Sequence, residues 1–306
     1  MANNITKRQH YVWRNYLRAW ANDDVIYAYI KMKQDIIQTE LMNVAQKRYF
    51  NNIEKFDATE EKFLKYTCSK IKGPIKKIVD DLFAILDIYN GVKKIQEEIT
   101  DEVPKPLEEI EKNGFELLHS EIEGHGSNLI ACRKKEDLYF FDNEMQKYKA
   151  LMYICFQYFR TKKQKDSQIK NFEGTPLDIG KIYNFLAITS AAQVAQNISF
   201  DPKIRYCLLE ITNNEISFIT GDQPVINLVA DDVDDEGGAK DLVFYYPISP
   251  KHAIKIEFND LGEKYQHREL SVEEVDDLNK KMINEYHEFI FADSHEQLNS
   301  YTQHFV

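Results

Sequence analysis

At about Arg205 the apolar residues of this chain change their spacing, and no other single feature restricts the fold as strongly. Before that point they recur at three- and four-residue intervals: Phe63, Tyr66, Cys68, Ile71, Ile75, Ile78, Val79, Leu82, Ile85 and Leu86, the spacing of one helix face. Residues 143–164 repeat the pattern with Tyr148, Met152, Cys155, Phe156 and Phe159, and Ala150, Leu151 and Ile154 extend it around most of the circumference. That predicts a central, heavily buried helix. A second helix is expected over 177–197, ended by Pro202. Beyond Arg205 the segments RYCLLEIT, EISFIT, PVINLVA, LVFYYPI and AIKIEF have strand length and strand periodicity. Crossover helices do not fit between them, so they predict an antiparallel meander of about five strands, with TNNE as a tight hairpin turn. An amphipathic helix over 272–291, with Val275, Leu278, Met282, Tyr286 and Phe289 in its stripe, closes the chain.

The N-terminal part predicts a small β-ribbon over 25–42, two strands around the polar KMKQD. Gly73-Pro74 is expected to kink or divide the helical run that starts near Thr59. Residues 91–137, rich in lysine and glutamate, predict a peripheral helix and irregular insertion. The expected class is α+β: an N-terminal β-ribbon, a central helical layer, and a C-terminal antiparallel sheet with a closing helix, in one domain of 306 residues.

Composition excludes several classes. With 43% hydrophobic residues, 11 glycines and 8 prolines, the chain is neither disordered nor fibrous. A net charge of -11 argues against a broad electropositive surface for duplex nucleic acid, though not against a local basic groove. Basic runs such as RTKKQK (160–165) are expected as solvated helix ends or turns. Cys68, Cys132, Cys155 and Cys207 lack metal-ligand or redox spacing and are expected to be reduced and buried. MANNITKRQ has no apolar run behind its basic residues, and the most apolar stretch, ALMYICFQYF, is about half a membrane span. The expected location is therefore the cytoplasm, with no membrane partner.

No phosphate-loop, dinucleotide, zinc-hydrolase or serine-hydrolase signature occurs, and no cofactor is indicated. The acidic DDVDDEGG offers Asp232, Asp234, Glu236 and Gly237 in calcium-loop order, but the twelfth position is Val243, so a solvated loop is expected. HSEIEGH as a strand would align His119, Glu121, Glu123 and His125 on one face. Its other face, Ser120, Ile122 and Gly124, is too poor to anchor a strand, and no metal site is assigned.

The remaining candidates are His10, the Gln157/Arg160 pair and Asp222. His10 titrates near neutrality and suits proton transfer or metal ligation; the alternative is an imidazole bonded to a backbone carbonyl. Gln157 and Arg160, three apart on a helix, can share a cleft, with Arg160 gripping a phosphate or carboxylate. Alternatively Arg160 closes the helix against its dipole. Asp222 in FITGDQPV suits an Asx turn, or an orienting or metal-binding role.

QHYVWRNYLRAW resembles the opening of domain-of-unknown-function family 4238, whose signature is His-Tyr-Val-Pro followed by Tyr-Leu and an aromatic. FQYFRTK resembles the family's Gln-x-x-Arg-Thr helix end, FITGDQPV its Thr-Ser-Asp-x-Pro-Val block, and YYPISP and LNKKM follow in the same order. The resemblance spans about Lys7 to Phe291. Trp13 for proline, Lys72 for an expected glutamate and Gly221 for serine are departures. The resemblance implies a shared fold and a recurring His, Gln, Arg and Asp set, but no activity.

Two functions follow as expectations. One is a phosphodiester-directed hydrolase, a nuclease or RNase-like effector of bacterial type, with His10 and Asp222 catalytic and Gln157 and Arg160 binding substrate. The other is a non-catalytic module that binds a small anionic ligand or nucleotide, or a structural interaction protein. The partner is an anionic small molecule or nucleic acid, and the oligomeric state is left open.

Overall fold

The computed structural model describes residues 6–73, 75–100, 102–232 and 240–305. The strand β1 (Arg8–His10) and the one-turn helix α1 (Arg14–Leu17) open the chain. The hairpin β2 (Val25–Ile30) to β3 (Asp35–Glu40) follows, and then β4 (Gln46–Arg48) returns to pair antiparallel with β1. The hairpin loop, residues 31–34, ends on Gln34 at φ 52°. Between β1 and the hairpin, Tyr11, Val12, Tyr16, Leu17 and Trp20 are buried. Their polar tips are satisfied as burial requires: Tyr16 Oη lies 2.6 Å from Thr220 Oγ1 and donates to the Pro247 carbonyl at 2.8 Å, while Trp20 Nε1 donates to the Phe218 carbonyl at 2.8 Å. The aromatic opening is thus an anchor onto strands 200 residues away, and it holds His10 at the edge of the core.

The helix α2 (Ala58–Cys68) starts at a capping box: Asp57 accepts from the amides of Thr59 and Glu60, and Glu60 accepts from that of Asp57. The expected division follows. Residues 69–73 are not helical, Gly73 takes φ 77°, and α3 (Ile75–Ile99) begins after it; Pro74 lies outside the described residues. Residues 91–137 hold the end of α3, the long α4 (Lys105–Gly124), the single turn α5 (Ser127–Ile130) and the start of a 3-10 segment. Their charge masks the stripe Leu107, Phe115 and Ile122 that α4 buries. HSEIEGH belongs to this helix rather than to an extended strand.

The central helix expected over 143–164 is α6 (Glu144–Phe159), capped by Asn143 and buried without interruption from Ala150 to Gln157. It ends sooner than expected because Thr161 caps a new helix, α7 (Lys162–Asn171), by accepting from the Gln164 amide. The helix α8 (Ile179–Phe200) packs along α6, and both present apolar side chains on nearly every side. Each fully buried Leu, Ile or Phe there contributes about 1.5–3 kcal/mol, which makes this helix pair the centre of the main core.

The C-terminal part contains β5 (Ile204–Glu210), β6 (Thr220–Gly221), β7 (Ile226–Asn227), β8 (Val243–Ser249), β9 (His252–Phe258) and β10 (Tyr265–Glu269). It continues with α9 (Val272–Glu285), β11 (Phe289–Ala292) and α10 (His295–Asn299). Five strands form a mostly antiparallel sheet in the order β10-β5-β9-β8-β7. Two details differ from a meander. TNNE makes no hairpin: β5 pairs with β9 on one side and, in parallel, with β10 on the other. Its run Tyr206–Leu209 is buried throughout, Tyr206 and Leu208 in one core and Cys207 and Leu209 in the other, as expected of a strand covered on both faces. EISFIT contributes only Thr220 to a strand, in the second sheet, β3-β2-β11-β6.

The closing helix also ends earlier, at Glu285. Phe289 lies in β11, between β2 and β6, so the N-terminal ribbon is one half of a four-stranded sheet. FIFA is a dense run of strand-forming residues that breaks the helical spacing. Asp232 pairs with Lys240 at 2.8 Å, and Asp234, Glu236 and Gly237 of the acidic loop lie outside the described residues.

Candidate functional site

Four elements converge on a cavity of about 300 Å³: the end of β1, the helix α1 with the turn after it, the outer half of α4 and the end of α6. They supply His10, then Arg14 and Arg18, then Glu116, His119 and Glu123, and last Arg160. On α4, residues 116, 119 and 123 fall on one face because three- and four-residue steps nearly complete a turn. Glu121 and His125 point to another face and line a separate, apolar groove.

Arg160 organises the floor. Its guanidinium is 3% exposed; Nε donates to the Tyr11 carbonyl at 3.1 Å and Nη2 to the His10 carbonyl at 2.8 Å. Nη2 also stands 2.6 Å from the Glu123 carboxylate. Burial raises the pKa of Glu123, against the pull of that guanidinium. Arg160 therefore ties the histidine strand to α4 with two donors, and Nη1 remains buried without a partner. It is also the C-cap of α6.

Both imidazoles at the floor are neutral at pH 7. Burial lowers His10 to about 4, helped by the charges of Arg14, Arg160 and Arg8, with the Val44 carbonyl pulling the other way. Burial and then Arg160 push His119, 3% exposed, well below its usual value. Neither ring makes a hydrogen bond of good geometry through either nitrogen. His119 instead packs edge-on against Phe156 at 4.7 Å. Buried polar atoms without partners are costly, and their concentration here is the strongest physical mark of the site.

Arg8, Arg14 and Arg18 stand at the rim. Arg8 donates to Asn43 at 3.1 Å, Arg14 contacts the Met42 sulfur, and Arg18 pairs with Asp24 at 3.0 Å. Four arginines against two glutamates leave the lining at +2, in a chain of net charge -11. Trp13 forms part of the wall and packs edge-on to Tyr153 at 5.5 Å. Its φ of -60° is one that proline would impose, so the departure from the family tetrapeptide keeps the backbone and adds an indole to the wall.

Of the sequence candidates, His10 and Arg160 line this cavity, and Gln157 and Asp222 are not among its lining residues. Gln157 is fully buried one turn before Arg160, with both amide atoms unpaired. Asp222, also buried, uses both carboxylate oxygens on backbone amides, those of His287 and Glu288, each at 2.8 Å. Burial raises it to about 6 even so. Gly221 beside it could not carry a side chain freely: a Cβ would lie 3.3 Å from Ile290 Cδ1 and 3.4 Å from the Phe289 carbonyl. Lys72, exposed, contributes only its carbonyl, to Gln196 at 3.3 Å.

A second polar cluster adjoins Asp222. His287 Nε2 lies 3.0 Å from Asp166, and Lys162 reaches Asp166, His287 and, at 3.2 Å, Glu288. Tyr11 joins the two clusters, since its hydroxyl donates to Glu288 at 3.0 Å while its carbonyl accepts from Arg160. No group of three His, Cys, Asp or Glu side chains able to hold a metal occurs among the described residues. No helix among them is long and apolar enough to cross a membrane.

The sequence reading missed Arg8, Arg14, Arg18, Glu116, His119 and Glu123 as lining. The signal for the α4 residues was present: read as a helix, Glu116, His119 and Glu123 share a face. No curated protein and no solved structure matches the chain. A family model matches residues 8–296, and it spans the opening tetrapeptide, the Gln157–Thr161 helix end and the Asp222 block. The chain belongs to the family described as "protein of unknown function (DUF4238)".

Proposed function

We propose that the cavity is a phosphodiester site and that the protein is a hydrolase of nuclease type, acting in the cytoplasm on short single-stranded RNA. The observation that carries this reading is the cavity floor, where the ring nitrogens of His10 and His119 and Arg160 Nη1 are shielded from solvent with no hydrogen bond of good geometry, beside a rim of arginines. A phosphate satisfies such groups with charge-assisted hydrogen bonds. The acidic surface elsewhere disfavours a long polyanion and restricts binding to this locally positive mouth. Four unpaired, buried cysteines accord with a reducing compartment.

In this reading Arg8 and Arg14 grip the non-bridging oxygens, and Arg160 Nη1 meets the charge that builds on them in the transition state. His10, neutral at pH 7, takes the proton of the ribose 2′-hydroxyl as that oxygen bonds phosphorus. The P–O5′ bond breaks to leave a 2′,3′-cyclic phosphate, the leaving oxygen takes a proton from water at the cavity mouth, the hydroxide so formed recovers the proton held by His10, and a second water then opens the cyclic ester to complete hydrolysis. Gln157, buried one turn before Arg160 on α6, acts through the packing that positions Arg160. Asp222 acts from a distance: it fixes the backbone of His287 and Glu288, and Glu288 accepts from the hydroxyl of Tyr11, the residue after His10 in the chain.

One observation favours a second reading, a non-catalytic module for a small anion or nucleotide: at about 4, His10 is a weak base. Incubation of a short oligoribonucleotide with wild type and His10→Asn separates the two. Cleavage by wild type alone, with equal binding by both, supports the hydrolase. Binding without cleavage by both supports the module, and absence of binding removes both readings.

A further inference from the structure

The helix α3 carries two apolar faces, and only one is used by its own fold. Ile75, Val79, Leu82, Leu86 and Tyr89 are buried against the core. A second stripe is open to solvent: Ile78, Ile85, Val92 and Ile99 recur every seven residues, and Ile88 and Ile95 fall three later. Ile88 is 68% exposed, Ile95 58% and Ile99 77%. This is the 3.5-residue spacing of a coiled-coil seam, sustained over about 30 Å of helix at 1.5 Å per residue. Exposed apolar residues scattered singly need no explanation, but a continuous heptad stripe does. Beside its first half, exposed Ile110 and Leu117 of α4 form the far wall of an apolar groove that also contains Ile78 and Ile85.

We propose that this face is a homodimer interface, in which α3 of a second copy lies antiparallel along the seam. A stripe of this period takes a helix, and three further features select a second α3. The flank of the seam carries Lys77, Ala84, Gly91 and Glu98, again at seven-residue intervals and all exposed. Antiparallel two-fold pairing centred between Asp87 and Ile88 sets Lys77 opposite Glu98 of the second copy, twice. Among the described residues neither has an ion-pair partner, whereas Lys76 and Lys93 have theirs. The same operation sets Ala84 opposite Gly91 of the second copy, so two small residues meet at the closest approach of the backbones.

Gly91 strengthens the point. A mid-helix glycine costs about 1 kcal/mol relative to alanine, and a Cβ built there meets nothing within 4 Å. The fold of one chain does not require glycine at that position; a second helix passing close beside it does. In this register Ile85 packs beside Ile88 of the second copy and Ile78 beside Ile95 of it. Asp81 is the one polar residue of the seam, exposed near its N-terminal end.

Size-exclusion chromatography with light scattering over a concentration series tests the arrangement. The full chain runs as a dimer; Ile88→Glu and Ile95→Glu, on different turns and both at exposed positions, run as monomers with unchanged circular dichroism and melting. Lys77→Glu raises the dimer dissociation constant several-fold, and Lys77→Glu/Glu98→Lys restores it. A monomeric wild type, or a dimer that both glutamate variants leave intact, overturns the interface. Failure of the charge swap to restore affinity overturns the antiparallel register.

Discussion

The Arg160 guanidinium stands 2.6 Å from the Glu123 carboxylate, at the junction of α6 and α4, with 3% and 15% of their side chains exposed. The pair joins the two helices that carry the cavity floor, and Arg160 also holds the carbonyls of His10 and Tyr11.

Removing the cation strands the carboxylate. Arg160→Met is expected to destabilise the fold by about 3–5 kcal/mol, the usual cost of a broken buried pair. Glu123→Gln costs less, because Arg160 keeps two carbonyl acceptors. Urea denaturation of both variants checks the order.

His10 gives acid sensitivity a defined sign. Its folded pKa, about 4, lies below the unfolded value of 6.5, so between those limits the unfolded chain binds a proton that the folded chain refuses. Stability attributable to His10 is therefore full above pH 6.5 and is lost as pH falls toward 4, by on the order of 3 kcal/mol. His10→Asn should flatten that part of the stability profile between pH 7 and 4.

Asp222 titrates with the opposite sign. Its folded pKa of about 6 exceeds the unfolded value of 3.8, so the folded chain gains protons first and the group stabilises as pH falls through that window. Asp222→Ala is expected to cost about 1–3 kcal/mol for each of the two amides left unpaired. Thermal melting records the loss, and affinity for inorganic phosphate at the cavity should stay unchanged.

Arg14 stands at the rim, with no carboxylate partner among the described residues. Arg14→Ala should weaken phosphate affinity about tenfold, equivalent to 1.4 kcal/mol, and reduce its dependence on salt. Melting should be unaffected. Calorimetric titration at two ionic strengths measures both.

Periodicity made the architecture legible, since α6, α8 and the strands β5, β8 and β9 are long enough to show a clear repeat. Partners were not legible. Whether β5 pairs with the next strand or with β9 and β10 depends on contacts more than 40 residues away, and the two-residue strands β6 and β7 exist only through their neighbours. The site divides in the same way. His10 and Arg160 lie in compact, distinctive blocks, whereas His119 and Glu123 sit in a charge-rich segment whose helical character is set by burial of Leu107, Phe115 and Ile122.

A phosphate that enters the cavity against His10 must change the titration of that ring, which nuclear magnetic resonance reads residue by residue. Free protein should show a His10 resonance titrating near pH 4, with burial and three arginines holding it down. A saturating dinucleoside monophosphate places a negative charge beside the ring and should move that pKa upward, toward neutrality, in wild type and far less in Arg14→Ala. A His10 pKa unmoved by the dinucleotide, at concentrations that saturate any binding, would mean that no phosphate lies against the ring.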